Sequence, residues 1–382
     1  MYGIISKVLF PSASRAVKTR NIFTKEYLGL SFLQEKQKED QAKAGKNVAN
    51  IKDNFLKSYK KRGIKGLRRN DILNFINLAD GEKDMAKLSR VVEDFLAHPC
   101  DPKHKERILG NCISTCYLRG DLKYSRLLSE GAFFQTFDKS PISQLTHFQL
   151  EYDHGHYQEL VDKFNKTSKV GNAATMTIVM AALCRIGTPE AYKEATEMRR
   201  LDEIIMPKHV EGGRIFELFA WFSIQMGHYD TALETLKKKK QPSSVSEKIK
   251  SVKASTKIRA NIILFALVKS GKADSCLSEM SNQLKNYSKF GFTPVYSSEL
   301  IHGLAEAVKH DEKLSKKYKE LQKDLEEKGT VEKATVEELV FRPIPRSPHS
   351  KISEQDFTNP YYYKEKFTSP FKSKDFPNFK YL

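Results

Sequence analysis

Thr175–Arg200 reads TMTIVMAALCRIGTPEAYKEATEMRR, and its periodicity decides the fold class. Apolar side chains at Met176, Val179, Met180, Leu183 and Cys184 follow the i, i+3, i+4, i+7, i+8 spacing that lines one face of an α-helix. Gly187 stops that helix, Pro189 suits the first turn of a second, and Ala191, Ala195 and Met198 give the second helix its own stripe. Two helices joined at a glycine turn make an αα-hairpin.

Glycines in the same context recur at Gly81, Gly120, Gly155, Gly187, Gly227 and Gly271, with spacings of 39, 35, 32, 40 and 44 residues. The same five offsets give Leu109, Cys112, Ile113, Cys116 and Tyr117 before Gly120, and Phe216, Phe219, Ala220, Ser223 and Ile224 before Gly227. Before Gly271 they give Ala260, Ile263, Leu264, Leu267 and Val268. Small residues Ala86, Ser125, Ala232 and Cys276 stand five positions past their glycines, where a second helix must approach the first. Two copies are degenerate: Gln144, His147 and Glu151 occupy the apolar face before Gly155, and Asn70, Asn74 and Asn77 precede Gly81. Helix pairs with a period near 35 residues bury their apolar faces only by stacking on neighbours. The expected fold is therefore all-α, an α-solenoid of about six to seven helix-turn-helix repeats over residues 67–328.

Tetratricopeptide hairpins carry a W-x₂-L-G-x₂-Y pattern that is missing here, where the only Trp is Trp221. The stretches ANIILFALVKSG (Ala260–Gly271) and TMTIVMAALCRIG instead resemble pentatricopeptide repeats. From about Tyr27 to Lys328, with SYKKRGIKGLRRNDILNFINLADGEKDMAKLSRVVEDFL and RIGTPEAYKEATEMRRL as the most telling runs, the chain is similar to the pentatricopeptide repeat domain-containing protein 2 family of animal mitochondria. The resemblance implies a mitochondrial RNA-binding protein of transcript maturation, with cytochrome b messages as substrates and respiratory-chain assembly downstream. It also implies base readout from the first-helix position ten before each glycine, which carries over to Asp71, Thr177, Glu217 and Asn261, with Asn261 and Thr177 foremost. Gly110 and Leu145 break that pattern.

Charge is unevenly placed. The chain carries +18 overall, residues 1–69 hold 17 Lys/Arg against 5 Asp/Glu, and residues 341–382 hold 8 against 4, so the helical array between them is nearly neutral. Phosphate contacts supply sequence-independent affinity, so the cluster Lys57, Lys60, Lys61, Arg62, Lys65, Arg68 and Arg69 is the expected footprint for an RNA backbone. The same residues equally fit a solvated basic helix face.

Residues 1–25 bear Lys7, Arg15, Lys18, Arg20 and Lys25 with no acid before Glu26, as a mitochondrial transit peptide does, and imply the matrix. Residues 26–66 form a basic helical segment ahead of the array. Residues 329–382, rich in Pro, Tyr and Lys, read as a disordered or partner-docking tail, in which Tyr361, Tyr362 and Tyr363 beside Lys364 and Lys366 also suit stacking on single-stranded RNA. No apolar run reaches the 18 to 20 residues of a membrane span, so membrane insertion is not expected.

Nothing points to catalysis or to a cofactor. Five cysteines without C-x₂-C spacing argue against a zinc site, and Asp153, His154 and His156 crowd one turn too tightly to converge on a metal. Phosphate-loop, H-E-x-x-H and G-x-S-x-G patterns are missing from the sequence. The expectation is a non-enzymatic binder of single-stranded mitochondrial RNA that works beside a nuclease or the ribosome. The alternatives are a protein-binding scaffold, for instance in the mitochondrial small ribosomal subunit, and an RNA-processing nuclease.

Overall fold

A computed structural model describes residues 21–167, 173–205, 213–237, 249–290 and 294–344. Among the described residues the chain is all-α apart from two short strands. Helices α1 (Leu30–Ala44) and α2 (Val48–Arg62) lead into pairs: α3 (Arg69–Leu78) and α4 (Gly81–Ala97), then α5 (Pro102–Arg119), α6 (Leu122–Leu127) and α7 (Phe134–Asp138). Next come α8 (Pro141–Asp153) and α9 (Tyr157–Lys166), α10 (Ala173–Ile186) and α11 (Pro189–Ile205), and α12 (Gly213–Gln225) and α13 (Tyr229–Lys237). The last pairs are α14 (Ile249–Lys269) with α15 (Ala273–Phe290), and α16 (Ser298–Val308) with α17 (Glu312–Lys328). Strand β1 (Tyr296–Ser297) runs parallel to β2 (Val331–Glu332), and a short α18 (Val336–Val340) follows.

All six turn glycines adopt positive φ, from 67° to 80°. Gly120 shows why the position needs glycine: at φ 67° it lets Asp121 donate back to the Cys116 carbonyl (2.8 Å) while its own N–H reaches Tyr117 (3.0 Å). An L side chain at that φ is strained. Starts are equally local. Asp101 caps α5 by accepting from the Lys103 amide (2.9 Å), with Pro102 at the first helical position, and Asp311 caps α17 through Leu314 (2.9 Å).

First helices pack on first helices: α3 on α5, then α8, α10, α12, α14 and α16 in turn. The middle of the row is the most enclosed. From Ala173 to Cys184 every residue of α10 is buried, so its stripe closes into an all-round apolar surface. Ala181 and Ala182 keep the neighbouring backbones close.

The weak copy before Gly155 is a hairpin too, because its polar residues find partners. Gln144 donates to the Asp138 carbonyl (2.8 Å), Arg126 grips Glu151 with two 2.7 Å bonds, and Ser125 Oγ lies 2.8 Å from His147 Nδ1. Burial and the nearby Lys163 and Arg126 charges push the His147 pKa well down. Glu151 lies 3.6 Å from Nε2, but Arg126 already neutralises it, so the imidazole is neutral in the fold.

A pH dependence follows. Below about pH 6.5 the unfolded chain takes up a proton on this histidine that the folded chain refuses, so stability falls with pH by up to about 1.4 kcal/mol per unit. Denaturant titrations from pH 7 to pH 5 should show this slope in the wild type and a flatter one in His147→Gln. Equal slopes would remove His147 as the cause.

Candidate nucleic-acid interface

The cationic end is built on two aromatic anchors. Phe55 of α2 stacks on Phe75 of α3, with centroids 4.5 Å apart, and Tyr59 donates its hydroxyl to Asp94 on α4. Burial and that carboxylate push the Tyr59 hydroxyl up to about 12. Lys52 adds a 2.6 Å ion pair with Asp84. These contacts use one face of α2 and turn the other outward.

On the outward face Lys57, Lys60, Lys61, Arg62, Lys65 and Arg68 are exposed, with Arg69 half-buried at the start of α3. None of the seven forms an ion pair with a described carboxylate, and Lys60, Lys61 and Arg62 sit in the last turn of α2, where the helix dipole favours cations. The structure adds an eighth cation that sequence reasoning missed. Arg107 on α5 is half-buried near Arg69, and burial together with the Arg69 charge lowers its pKa. Only the packing of α3 on α5 joins the two arginines, and a residue spacing of this length leaves no periodic mark.

The base-readout candidates are placed differently from the expectation. Asn261 is fully buried, its amide donating to the Lys257 and Val295 carbonyls (2.9 and 2.8 Å) and its oxygen accepting from the Ser297 amide (2.8 Å). Thr177 is buried and donates to the Ala173 carbonyl (2.7 Å). Asp71 is half-buried and accepts from the Arg68 amide (2.9 Å), holding the start of α3. Glu217 is buried beside Arg214 at 3.3 Å. Asn261 and Thr177 thus serve the chain itself, because the face that was to meet RNA is covered.

What covers it are two segments that flank the row, residues 22–41 before it and residues 336–344 after it. Gln37 on α1 donates to Thr115 on α5 (3.0 Å), and Asn77 on α3 donates to Asp40 (2.8 Å). Gln149 on α8 accepts from the Phe23 amide (3.0 Å). Arg185 on α10 pairs with Glu337, and Arg214 on α12 donates to the Arg342 carbonyl (2.5 Å). Each of six successive first helices, counting Asn261 on α14, spends a polar side chain on residues 22–41 or on residues past 294.

Residues 21–25 and 329–344, read from sequence as leader and tail, belong to the folded body. Ile22 and Phe23 are buried, and Ile344 bonds both ways with the Ile22 carbonyl (2.8 Å) and the Thr24 amide (3.2 Å). Val336, Leu339, Val340 and Phe341 are buried. A signal for this was present: Thr335 and Glu338 form a capping box ahead of an apolar run. Residues 1–20 and Tyr361, Tyr362, Tyr363, Lys364 and Lys366 lie outside the described residues.

Other candidates for chemistry are engaged elsewhere. Asp153 accepts from Tyr117 (2.8 Å) and Gln149 (2.7 Å), and His154 Nδ1 lies 2.8 Å from the Leu150 carbonyl. No group of three or more His, Cys, Asp or Glu among the described residues is arranged to hold a metal. All five cysteines are free thiols, four of them buried, and burial pushes Cys276 up to about 12. No helix among the described residues is long and apolar enough to cross a membrane. No protein-family model matches the chain, and no curated protein matches it.

Proposed function

We propose that this chain is a pentatricopeptide-like α-solenoid of the mitochondrial matrix that binds single-stranded RNA through its phosphate backbone. It acts in transcript maturation, processing or stability, with cytochrome b messages as its targets and respiratory-chain assembly as the process served. It has no catalytic role of its own and leaves cutting to a partner nuclease. The observation that carries this reading is the cluster of seven cations, joined by Arg107, at the junction of α2, α3 and α5 without a carboxylate partner among the described residues. Cations held apart from acids keep their full field for phosphates.

Readout by Asn261 and Thr177 is no part of the proposal, so binding should be tolerant of sequence. Titrating single-stranded RNA against salt tests it. Affinity should fall with a log–log slope of about −0.7 per phosphate neutralised, alike for natural and scrambled sequences. Binding indifferent to salt would sink the reading. The covered first-helix face favours a second reading, a protein scaffold such as a component of the mitochondrial small ribosomal subunit. Cofractionation with ribosomal particles that survives RNase digestion would support it.

A further inference from the structure

The segment after α17 does more than cover a face. One arginine, Arg185 at the end of α10, makes two contacts with it: an ion pair with the Glu337 carboxylate, and a guanidinium stacked 3.8 Å above the centre of the Phe341 ring. Its Nε also donates to the Tyr152 hydroxyl of α8 (3.3 Å). A second arginine, Arg214 on α12, donates to the Arg342 carbonyl (2.5 Å). An anion and a flat ring presented together to one guanidinium are what a nucleotide offers through its phosphate and its base.

Packing alone does not call for this arrangement. An aliphatic side chain on α10 would cover Phe341 without the cost of desolvating a cation, and a half-buried ion pair is weak ground for stability. Arg185 stands in the last turn of α10, whereas Arg214 opens the neighbouring α12 and is already paired with Glu217 (3.3 Å). The closing segment has little regular structure, a five-residue helix, a two-residue strand pair with β1 and a single bridge from Ile344 to Phe23, and it is held by the burial of Val336, Leu339, Val340 and Phe341.

We propose that Arg185, with Tyr152, forms a nucleotide-binding subsite for single-stranded RNA that the chain closes with its own residues 336–344, Glu337 standing in for a phosphate and Phe341 for a base. This rests on the RNA-binding reading above. The basic end captures the strand by charge, and the strand then competes with the segment for Arg185. Apparent affinity is the intrinsic affinity multiplied by the fraction of molecules that are open.

The test uses the full chain and a short labelled single-stranded RNA. Glu337→Gln with Phe341→Leu removes the carboxylate and the ring while keeping an apolar side chain at position 341. This variant should bind about tenfold more tightly than wild type, and adding Arg185→Ala should cancel the gain. A variant that binds no more tightly than a wild type that does bind overturns the subsite and leaves the basic-end reading intact. If neither protein binds RNA, both readings fall. Should the double substitution unfold the chain, hydrogen exchange on the wild type decides. Saturating RNA should speed exchange at the Val336 and Ile344 amides, and unchanged or slower exchange overturns the proposal.

Discussion

Replacing Lys57, Lys60, Lys61 and Lys65 together by glutamate should weaken single-stranded RNA binding by about a hundredfold or more at physiological salt. All four are exposed and none is paired with a described carboxylate, so the change reaches RNA without disturbing an internal contact. Each lost phosphate contact should also flatten the salt dependence by about 0.7 in slope. Thermal stability should fall modestly, by about 1–2 kcal/mol in all, because glutamates in the last turn of α2 oppose the helix dipole, and circular dichroism checks that the variant stays folded. Fluorescence anisotropy across a salt series measures both quantities. Unchanged affinity would make the cluster a solvated helix face and leave Arg107 and Arg69 to be tried next.

Asn261→Ala should cost about 3 kcal/mol of stability while leaving the affinity of folded protein for RNA unchanged. The side chain joins the body of α14 to the backbone before α16, so its loss leaves the Val295 carbonyl and the buried Ser297 amide without their partner. Each buried group stranded in this way costs about 1–3 kcal/mol. Trp221 offers a local probe: it is the sole tryptophan, it is buried, and its ring stands 5.9 Å from Phe265 of the same α14. Urea unfolding followed by its fluorescence should show an earlier midpoint. A midpoint unmoved, with RNA affinity lowered, would return Asn261 to the role of a base reader.

The hairpins were legible because they are written in local terms. A turn glycine and a helix-period stripe are short-range signals, and Gly120, Gly187, Gly227 and Gly271 obey them with Cys116, Leu183, Phe219 and Leu264 buried as expected; all but Gly187, which has Tyr192 there, also carry the small residue five positions on. The Gly155 hairpin looked poor only because Gln144, His147 and Glu151 are polar, and their partners on neighbouring elements carry no periodic mark. The destination of the first-helix face was not legible for the same reason. Gln149 with Phe23, Arg185 with Glu337 and Asn261 with Ser297 are pairings that only the assembled fold brings together. Pro343 and Pro345 drew attention to the irregularity of the C-terminal stretch, and away from the capped turn just before them.

The bridge between Phe23 and Ile344 sets an order of events in the life of the chain. Synthesis runs from the N-terminus, so Phe23 emerges long before its partner Ile344. Until then the arginines of α10 and α12 and the apolar positions under Val336 and Phe341 stand uncovered. Closing so long a loop costs entropy that grows only slowly with its length, so the final step is delayed by vectorial supply of the chain more than opposed by thermodynamics. A nascent molecule is for that interval an open one, with Arg185 not yet paired to Glu337 and Phe23 not yet bridged to Ile344.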